Sequence, residues 1–229
     1  MSIKVVSFDV FGTVVDWFST IEREARALNL PVPADQFALT WRQGYLTAIT
    51  RVLSGEAPWA LIDDIHYQIL EEMLARFGID DLDEDRKRHL NLAWHRLDPW
   101  PDSSAALYRL KSRFNTCTLS NGNLSLLEDL ARHGDLPWSD VLSAETFGTF
   151  KPDPKVYLGA AETFQVKPEQ VLMVATHQED LEAARAAGLR TAYVKRPLEY
   201  GPTGPAKQFS EDHDFLAEDM LDLAEQLGC

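Results

Sequence analysis

Cysteine is nearly absent from this 229-residue chain, which has only Cys117 and Cys229. Cys117 lies in an apolar, strand-like run and Cys229 is the last residue, so no structural disulfide is expected and a reducing cytoplasm is the expected compartment. Long apolar runs are missing too: nothing approaches the ~20 residues of a membrane span. The amino terminus enters a strand-like run without a basic start or a cleavage site, so no signal peptide is expected. Positive charge is scarce, with 22 Lys and Arg against 36 Asp and Glu and a formal net charge of −14. That balance disfavours nucleic acid and anionic membranes as partners and serves solubility. A small anionic substrate would therefore need a locally basic pocket. The hydrophobic fraction of 45% supports a sizeable core, either one large domain or a core with an insertion.

The run Ile3-Lys4-Val5-Val6-Ser7-Phe8 is rich in β-branched residues and reads as a buried strand. Asp9 ends it, Gly12 allows a tight turn, and Thr13 can hydrogen-bond a carboxylate. The carboxyl end of such a strand is where open α/β sheets bind ligands, and an Asp held there is a competent covalent nucleophile. Two residues further on stands Phe11, which cannot transfer a proton.

Residues 14–97 read mostly as helix, with Ile21, Ala25 and Leu28, and then Leu61, Ile65, Ile69 and Met73, at helical spacing. Leu30-Pro31-Val32-Pro33 and Ser54-Gly55-Glu56-Ala57-Pro58 break this stretch. The prolines of Leu97-Asp98-Pro99-Trp100-Pro101-Asp102 predict a stiff connection back. From there helices and strands alternate. Helices are predicted at 104–111, 124–132, 154–164 and 179–187, and strands at 116–119, 141–143, 171–175 and 191–195. The alternation implies an α/β fold with a parallel sheet covered on both faces, residues 1–13 and 98–229 forming the core and 14–97 an inserted helical cap. Residues 196–212, with their prolines and glycines, are expected to be a surface excursion before a short final strand near His213-Asp214-Phe215.

Polar residues cluster where strands end: Asp9 and Thr13, Ser120-Asn121, Lys151 with Tyr157, and Thr176-His177 with Asp180. Each has a plain structural reading. Ser120-Asn121-Gly122 is a turn, Asp153 with Pro154 is a helix start, and Asp180 is a first-turn acid. A parallel sheet would bring them together in one crevice.

In this order, the four segments resemble the haloacid dehalogenase superfamily. Phe8-Asp9-Val10-Phe11-Gly12-Thr13 is similar to its first motif and Leu119-Ser120-Asn121 to its second. Phe150-Lys151-Pro152-Asp153-Pro154 resembles the third, and residues 174–180 the fourth. The resemblance implies a Rossmann-like core, a helical cap and a covalent aspartyl intermediate. A phosphatase of this superfamily must protonate its leaving group and typically carries a second Asp two residues after the nucleophile. A halide leaves without a proton, so Phe11 argues for carbon–halogen chemistry, as in the (S)-2-haloacid dehalogenase branch. In that branch Lys151 and Asp180 pair, and neither metal nor other cofactor is required. Trp41-Arg42-Gln43 matches the cap arginine that faces the nucleophile and stabilises the halide, and Tyr157 matches as well.

The branch often has Asn where His177 stands, Ser at Ala175 and Trp at Glu179. His177 either handles the hydrolytic water or is a structural donor in the loop. Tyr45, Ala57-Pro58-Trp59 and Trp94-His95 resemble a subgroup that accepts small substrates including fluoroacetate; cap packing is the plain reading of Trp94.

The expected roles are Asp9 as nucleophile, Thr13 as its orienter, and Lys151 as counter-charge. Backbone N–H groups near Val10 and Phe11, with Ser120, would hold the substrate carboxylate. Arg42 and Asn121, with Tyr45 or Trp59, would hold the halide, and Asp180 and His177 would activate water. The partners are a small haloacid and water, and the resemblance adds a homodimer. A magnesium-dependent phosphatase and a non-catalytic binding relative are the competing readings.

Overall fold

The computed structural model describes residues 2–205, 209–210 and 212–229. Met1, and residues 206–208 and 211 within the predicted 196–212 excursion, lie outside the described residues. The chain opens with β1 (Val5–Phe8), whose four side chains are all completely buried, as a central parallel strand requires. Then come β2 (Val15–Asp16), α1 (Trp17–Ala27), α2 (Ala34–Leu53), α3 (Ile62–Phe77) and α4 (Glu84–Asn91). A 3₁₀ turn (Leu92–Arg96) and β3 (Asp98–Pro99) lead back. The remaining elements are α5 (Ser103–Lys111), β4 (Asn115–Ser120), α6 (Leu124–His133), β5 (Asp140–Ser143), α7 (Ala144–Phe147) and α8 (Pro154–Thr163). They are followed by β6 (Val171–Ala175), α9 (Gln178–Ala186), β7 (Arg190–Val194), β8 (Phe215–Ala217) and α10 (Met220–Gln226).

Six strands form one sheet in the order β5-β4-β1-β6-β7-β8, with every pair parallel. β1 lies between β4 and β6, so the chain turns to opposite sides of the sheet around it. The carboxyl ends of these three strands therefore border the crevice at the topological switch point.

The helical stretch departs from the sequence reading at its two ends. Val15–Asp16 and Asp98–Pro99 pair antiparallel, setting the exit and return of the insertion side by side. Two-residue strands are too short for alternation to reveal them. The terminal helix α10 is a further element beyond those expected from the sequence.

A larger correction concerns residues 196–212. The first part of this segment is only in part a surface excursion: Leu198 is 53% exposed, but Arg196 is 6% exposed and Glu199 fully buried. Arg196 donates Nε to the Thr13 carbonyl at 2.8 Å, and both terminal nitrogens to Asp102 at 2.8 Å. This bidentate pair clamps the segment against the turn after β1. Glycine and proline content marked the loop correctly but carried no information about which of its side chains turn inward.

His95, in the 3₁₀ turn, joins the insertion to the sheet layer. Its Nε2 lies 3.0 Å from Asp63 of α3, and its Nδ1 lies 2.6 Å from Asp129 of α6. Burial works against charge on the ring, but the two carboxylates outweigh it and raise its pKa above 6.5. The contribution is therefore complete below the unfolded-state value and is lost as pH rises through the folded-state value. His95→Gln should cost about 1–2 kcal/mol in urea unfolding at pH 6 and clearly less at pH 9. An equal loss at both pH values would mean that the ring is neutral in the fold.

Candidate active site

Asp9 follows β1 and is 7% exposed. Its two oxygens have different neighbours. Oδ1 accepts from Lys151 Nζ at 3.1 Å. Oδ2 accepts from the Thr13 hydroxyl at 2.9 Å and lies 3.0 Å from His177 Nδ1. Thr13 is itself positioned by the backbone N–H of Thr176, which donates to its hydroxyl oxygen at 3.0 Å. Burial works against the Asp9 charge, but Lys151 and His177 hold the carboxyl far below the usual range.

The chain of charges continues on both sides. Lys151 donates to Asp180 Oδ2 at 2.5 Å, and the Tyr157 hydroxyl donates to Asp180 Oδ1 at 2.6 Å. Burial pushes the Asp180 carboxyl up, against the pull of Lys151. On the other side His177 Nε2 lies 2.9 Å from Glu199 Oε1, which also accepts from Trp17 Nε1 at 3.1 Å. Burial opposes charge on the His177 ring; Glu199 and Asp9 prevail and push its pKa up to about 9. The side chains thus follow in the order Asp180, Lys151, Asp9, His177, Glu199, with acidic and basic groups alternating along the row.

Local structure explains how the ends of the chain arrive there. Asp153 caps α8 by accepting from Lys155 N at 2.9 Å, with Pro154 at the first helical position, so the turn ahead of that helix carries Lys151. Gly12 has φ +86°, and a Cβ there would collide with the Glu199 carboxylate. Glycine is therefore needed twice over, for its conformation and for the close approach.

A cavity of about 470 Å³ opens above this chain, between the sheet ends and α2. Phe11, Ser120 and Asn121 line it from below, and Arg42 and Tyr45 of α2 from above. The Arg42 guanidinium lies over the Tyr45 ring at 4.9 Å and the Trp17 ring at 5.5 Å, and its Nε has no hydrogen-bond partner among the described residues. Asn121 links the two sides: its Nδ2 donates to the Tyr45 hydroxyl at 3.1 Å and its Oδ1 accepts from Lys151 N at 2.8 Å. Ser120 Oγ accepts from Gly122 N at 3.4 Å.

Of the residues picked from the sequence, Asp9, Phe11, Arg42, Tyr45, Ser120, Asn121, Lys151, Tyr157, His177 and Asp180 line this cavity. Thr13 and Val10 lie just behind it, buried. Trp59 does not join them: it is 36% exposed and stacks on Phe150 at 5.8 Å, because the turn after α2 carries it away from Tyr45. Trp94 is fully buried and stacks on His66 at 4.2 Å. Burial and the Arg42 charge push His66 down to about 3, so its ring is neutral.

Sequence reasoning missed Glu199 and Tyr200, which is also in the cavity wall. A signal existed. Glu199 follows closely on the carboxyl end of β7, and acids at the ends of neighbouring strands are candidates by the same argument.

A family profile described as haloacid dehalogenase-like hydrolase matches residues 3–188. The chain belongs to that family. It is 31% identical over 205 residues to (S)-2-haloacid dehalogenase 1 of Pseudomonas sp. (strain CBS-3), covering 86% of this chain and 88% of that protein. Among solved structures it is similar to an L-2-haloacid dehalogenase at TM-score 0.94 and 44% identity, covering 99% of both chains. A defluorinating L-2-haloacid dehalogenase matches at TM-score 0.95 and 38% identity, over 99% of this chain and 96% of that one. The L-2-haloacid dehalogenase of Xanthobacter autotrophicus, with chloropropionic acid covalently bound, matches at TM-score 0.84 and 27% identity, over 99% and 98%.

The charge order has a direct spectroscopic consequence. In a nitrogen-15 histidine titration, His177 should lose its proton near pH 9 and His66 should stay neutral down to about pH 4. Asp9→Asn should lower the His177 midpoint, because one of its two carboxylate neighbours is gone. A His177 ring already neutral at pH 7 in the unaltered protein would break the alternating chain.

Proposed function

We propose that the protein is a hydrolytic dehalogenase of small 2-haloalkanoic acids such as haloacetate and L-2-halopropionate, acting through an ester of Asp9. The observation that carries this reading is the pairing of an ionised, buried Asp9 with Phe11 in the cavity wall, two residues on, where a general acid would otherwise stand. A leaving group that needs no proton fits this arrangement. The Asp9 oxygens face Lys151 and His177, two cations, so the donor set suits an anionic substrate better than a divalent metal. The dehalogenase neighbours, one carrying a covalently bound chloropropionic acid, support the same chemistry.

In this mechanism the substrate carboxylate is held by Ser120 and by the Val10 and Phe11 N–H groups, which donate to no acceptor among the described residues. Asp9 attacks the halogen-bearing carbon through Oδ1, its less encumbered oxygen, in line with the departing halide. Arg42 and Asn121, beside Tyr45, stabilise the halide as its charge develops. Attack inverts the carbon, so an L-substrate gives a D-hydroxy acid. Water then attacks the carbonyl carbon of the ester, with Asp180 as base, and the hydroxy acid leaves. Residues 1–13 and 98–229 act as the catalytic core and 14–97 as the cap that closes the cavity. The compartment is the cytoplasm; no helix among the described residues is long and apolar enough to cross a membrane.

The same reading includes a homodimer. Its candidate face is the groove of about 970 Å³ between α2 and α3, on the side of the cap away from Asp9, with Leu39 exposed at its rim. Sedimentation velocity should give a dimer, and Leu39→Glu a monomer. A monomer in both would remove the dimer from the reading.

Halide release from chloro-, bromo- and fluoroacetate and from both 2-chloropropionate enantiomers tests the activity. Release should be unchanged by EDTA and absent in Asp9→Asn, which should stay folded by circular dichroism. In heavy-oxygen water a single turnover should label Asp9 rather than product. Magnesium-dependent phosphate release without halide release would replace this reading by a phosphatase.

A further inference from the structure

The start of α3, in the insertion, is capped by a residue of the core. Leu61 stands at the N-cap position of α3 and has no side-chain acceptor to offer the first-turn amides. Asn123 supplies one from the other side of the boundary. Its Oδ1 accepts from Asp63 N at 3.3 Å, and its Nδ2 donates back to Asp63 Oδ2 at 2.9 Å. The two residues satisfy each other reciprocally, as the partners of a capping box do within a single helix.

Asn123 gives up a local role to do this. It is the N-cap residue of α6, yet its side chain accepts nothing from that helix. The first amide of α6, Leu124 N, is taken instead by Glu145 Oε2 at 2.8 Å. Asn123 is only 2% exposed, so its amide depends on protein partners.

Asp63 is held from its other side as well. His95 Nε2 lies 3.0 Å from Asp63 Oδ1, and Asn91 Nδ2 donates to the Asp63 carbonyl at 3.1 Å. Every polar atom of Asp63 therefore has a partner. Burial opposes its charge, but His95 and Asn123 hold the carboxyl below the usual range.

Asn123 directly follows the turn Ser120-Asn121-Gly122 at the end of β4. That turn is packed closely on its remaining sides. Ser143 Oγ donates to the Gly122 carbonyl at 2.5 Å, and a Cβ on Gly122 would come within 2.9 Å of the Phe11 ring. Asn121 reaches Tyr45 and Lys151 N from the same turn. We infer that Asp63 is a positioning residue for the first half of the reaction. From the insertion it fixes Asn123, and through Asn123 the Ser120-Asn121 pair that receives the substrate carboxylate and the halide. Seating the insertion on the core and completing the halide site are then one event. This rests on the dehalogenase reading and deepens it. Ester hydrolysis uses Asp9, Asp180 and water, and asks nothing of Ser120 or Asn121.

Exchanging the polarity of the pair tests the inference. Asn123→Asp sets two carboxylates against each other across the boundary. The rapid-quench burst of chloride from L-2-chloropropionate should then slow by about tenfold, with a raised KM. Decay of the Asp9 adduct, followed by intact mass, should keep its rate. Adding Asp63→Asn to Asn123→Asp returns a donor opposite an acceptor and should restore the burst to within about twofold. Amide hydrogen exchange reads the contact without turnover. The Asp63 N–H should be protected by at least about tenfold although it lies in a first helical turn, and Asn123→Ala should remove that protection. Exchange in the unaltered protein carries the test if the variants do not fold. Equal slowing of burst and hydrolysis, a double variant no faster than Asn123→Asp, or an unprotected Asp63 amide overturns the assignment. Absence of chloride release from the unaltered protein would instead overturn the proposed function.

Discussion

The contact between Asp9 and its two cations is the constraint on which the rest of the site depends. A lone carboxylate at 7% exposure would protonate rather than remain charged. Lys151 and His177 prevent that, but each is itself a buried charge and needs a counter-charge of its own. Asp180 supplies it for Lys151 and Glu199 for His177, at 2.5 and 2.9 Å. Removing any internal member would leave a buried charge uncompensated, which is more costly than never having had the pair. The five side chains come from the turn after β1, the turn ahead of α8, the start of α9 and the segment after β7. The sheet has to hold all four in register.

The overall charge sets a second requirement. A chain of net charge −14 repels a small anion at long range. Three cationic side chains, Arg42, Lys151 and His177, meet at one cavity and offset there the carboxylates of Asp9, Glu179 and Asp180. Arg42 comes from the insertion and its guanidinium rests on Tyr45 and Trp17. Its position is thus set by aromatic packing within the insertion, which also carries the His66–Trp94 stack. The Asn121 bridge to Tyr45 and the His95 link to Asp63 and Asp129 hold insertion and core together by hydrogen bonds.

Much of this was legible in the residues. The strand at Val5–Phe8, the parallel alternation after residue 104 and the helical insertion all follow from local apolar periodicity. Thr13 on Asp9 and Lys151 on Asp180 were expected from residue type and motif, and both contacts are present. Trp59 was placed wrongly because its neighbours in sequence, not its direction in space, suggested the cavity. Glu199 and Arg196 were missed because a segment with prolines and glycines reads as solvated, and nothing local shows which side chains fold back. The ribbon of β2 and β3 is too short for any pattern to register.

The amino-acid order alone determined the class of fold, the carboxylate at the end of the first strand and the absence of an acid at Phe11, since each is a matter of periodicity or of what a side chain can chemically do. Only the tertiary structure decided that His177 stands between two carboxylates and that the two oxygens of Asp9 have different neighbours. Asp9, His177 and Glu199 are separated by 168 and 22 residues in the chain. Their charge states depend on distances of about 3 Å that the packed sheet alone creates, and electrostatics in a buried site is set by such distances rather than by order along the chain.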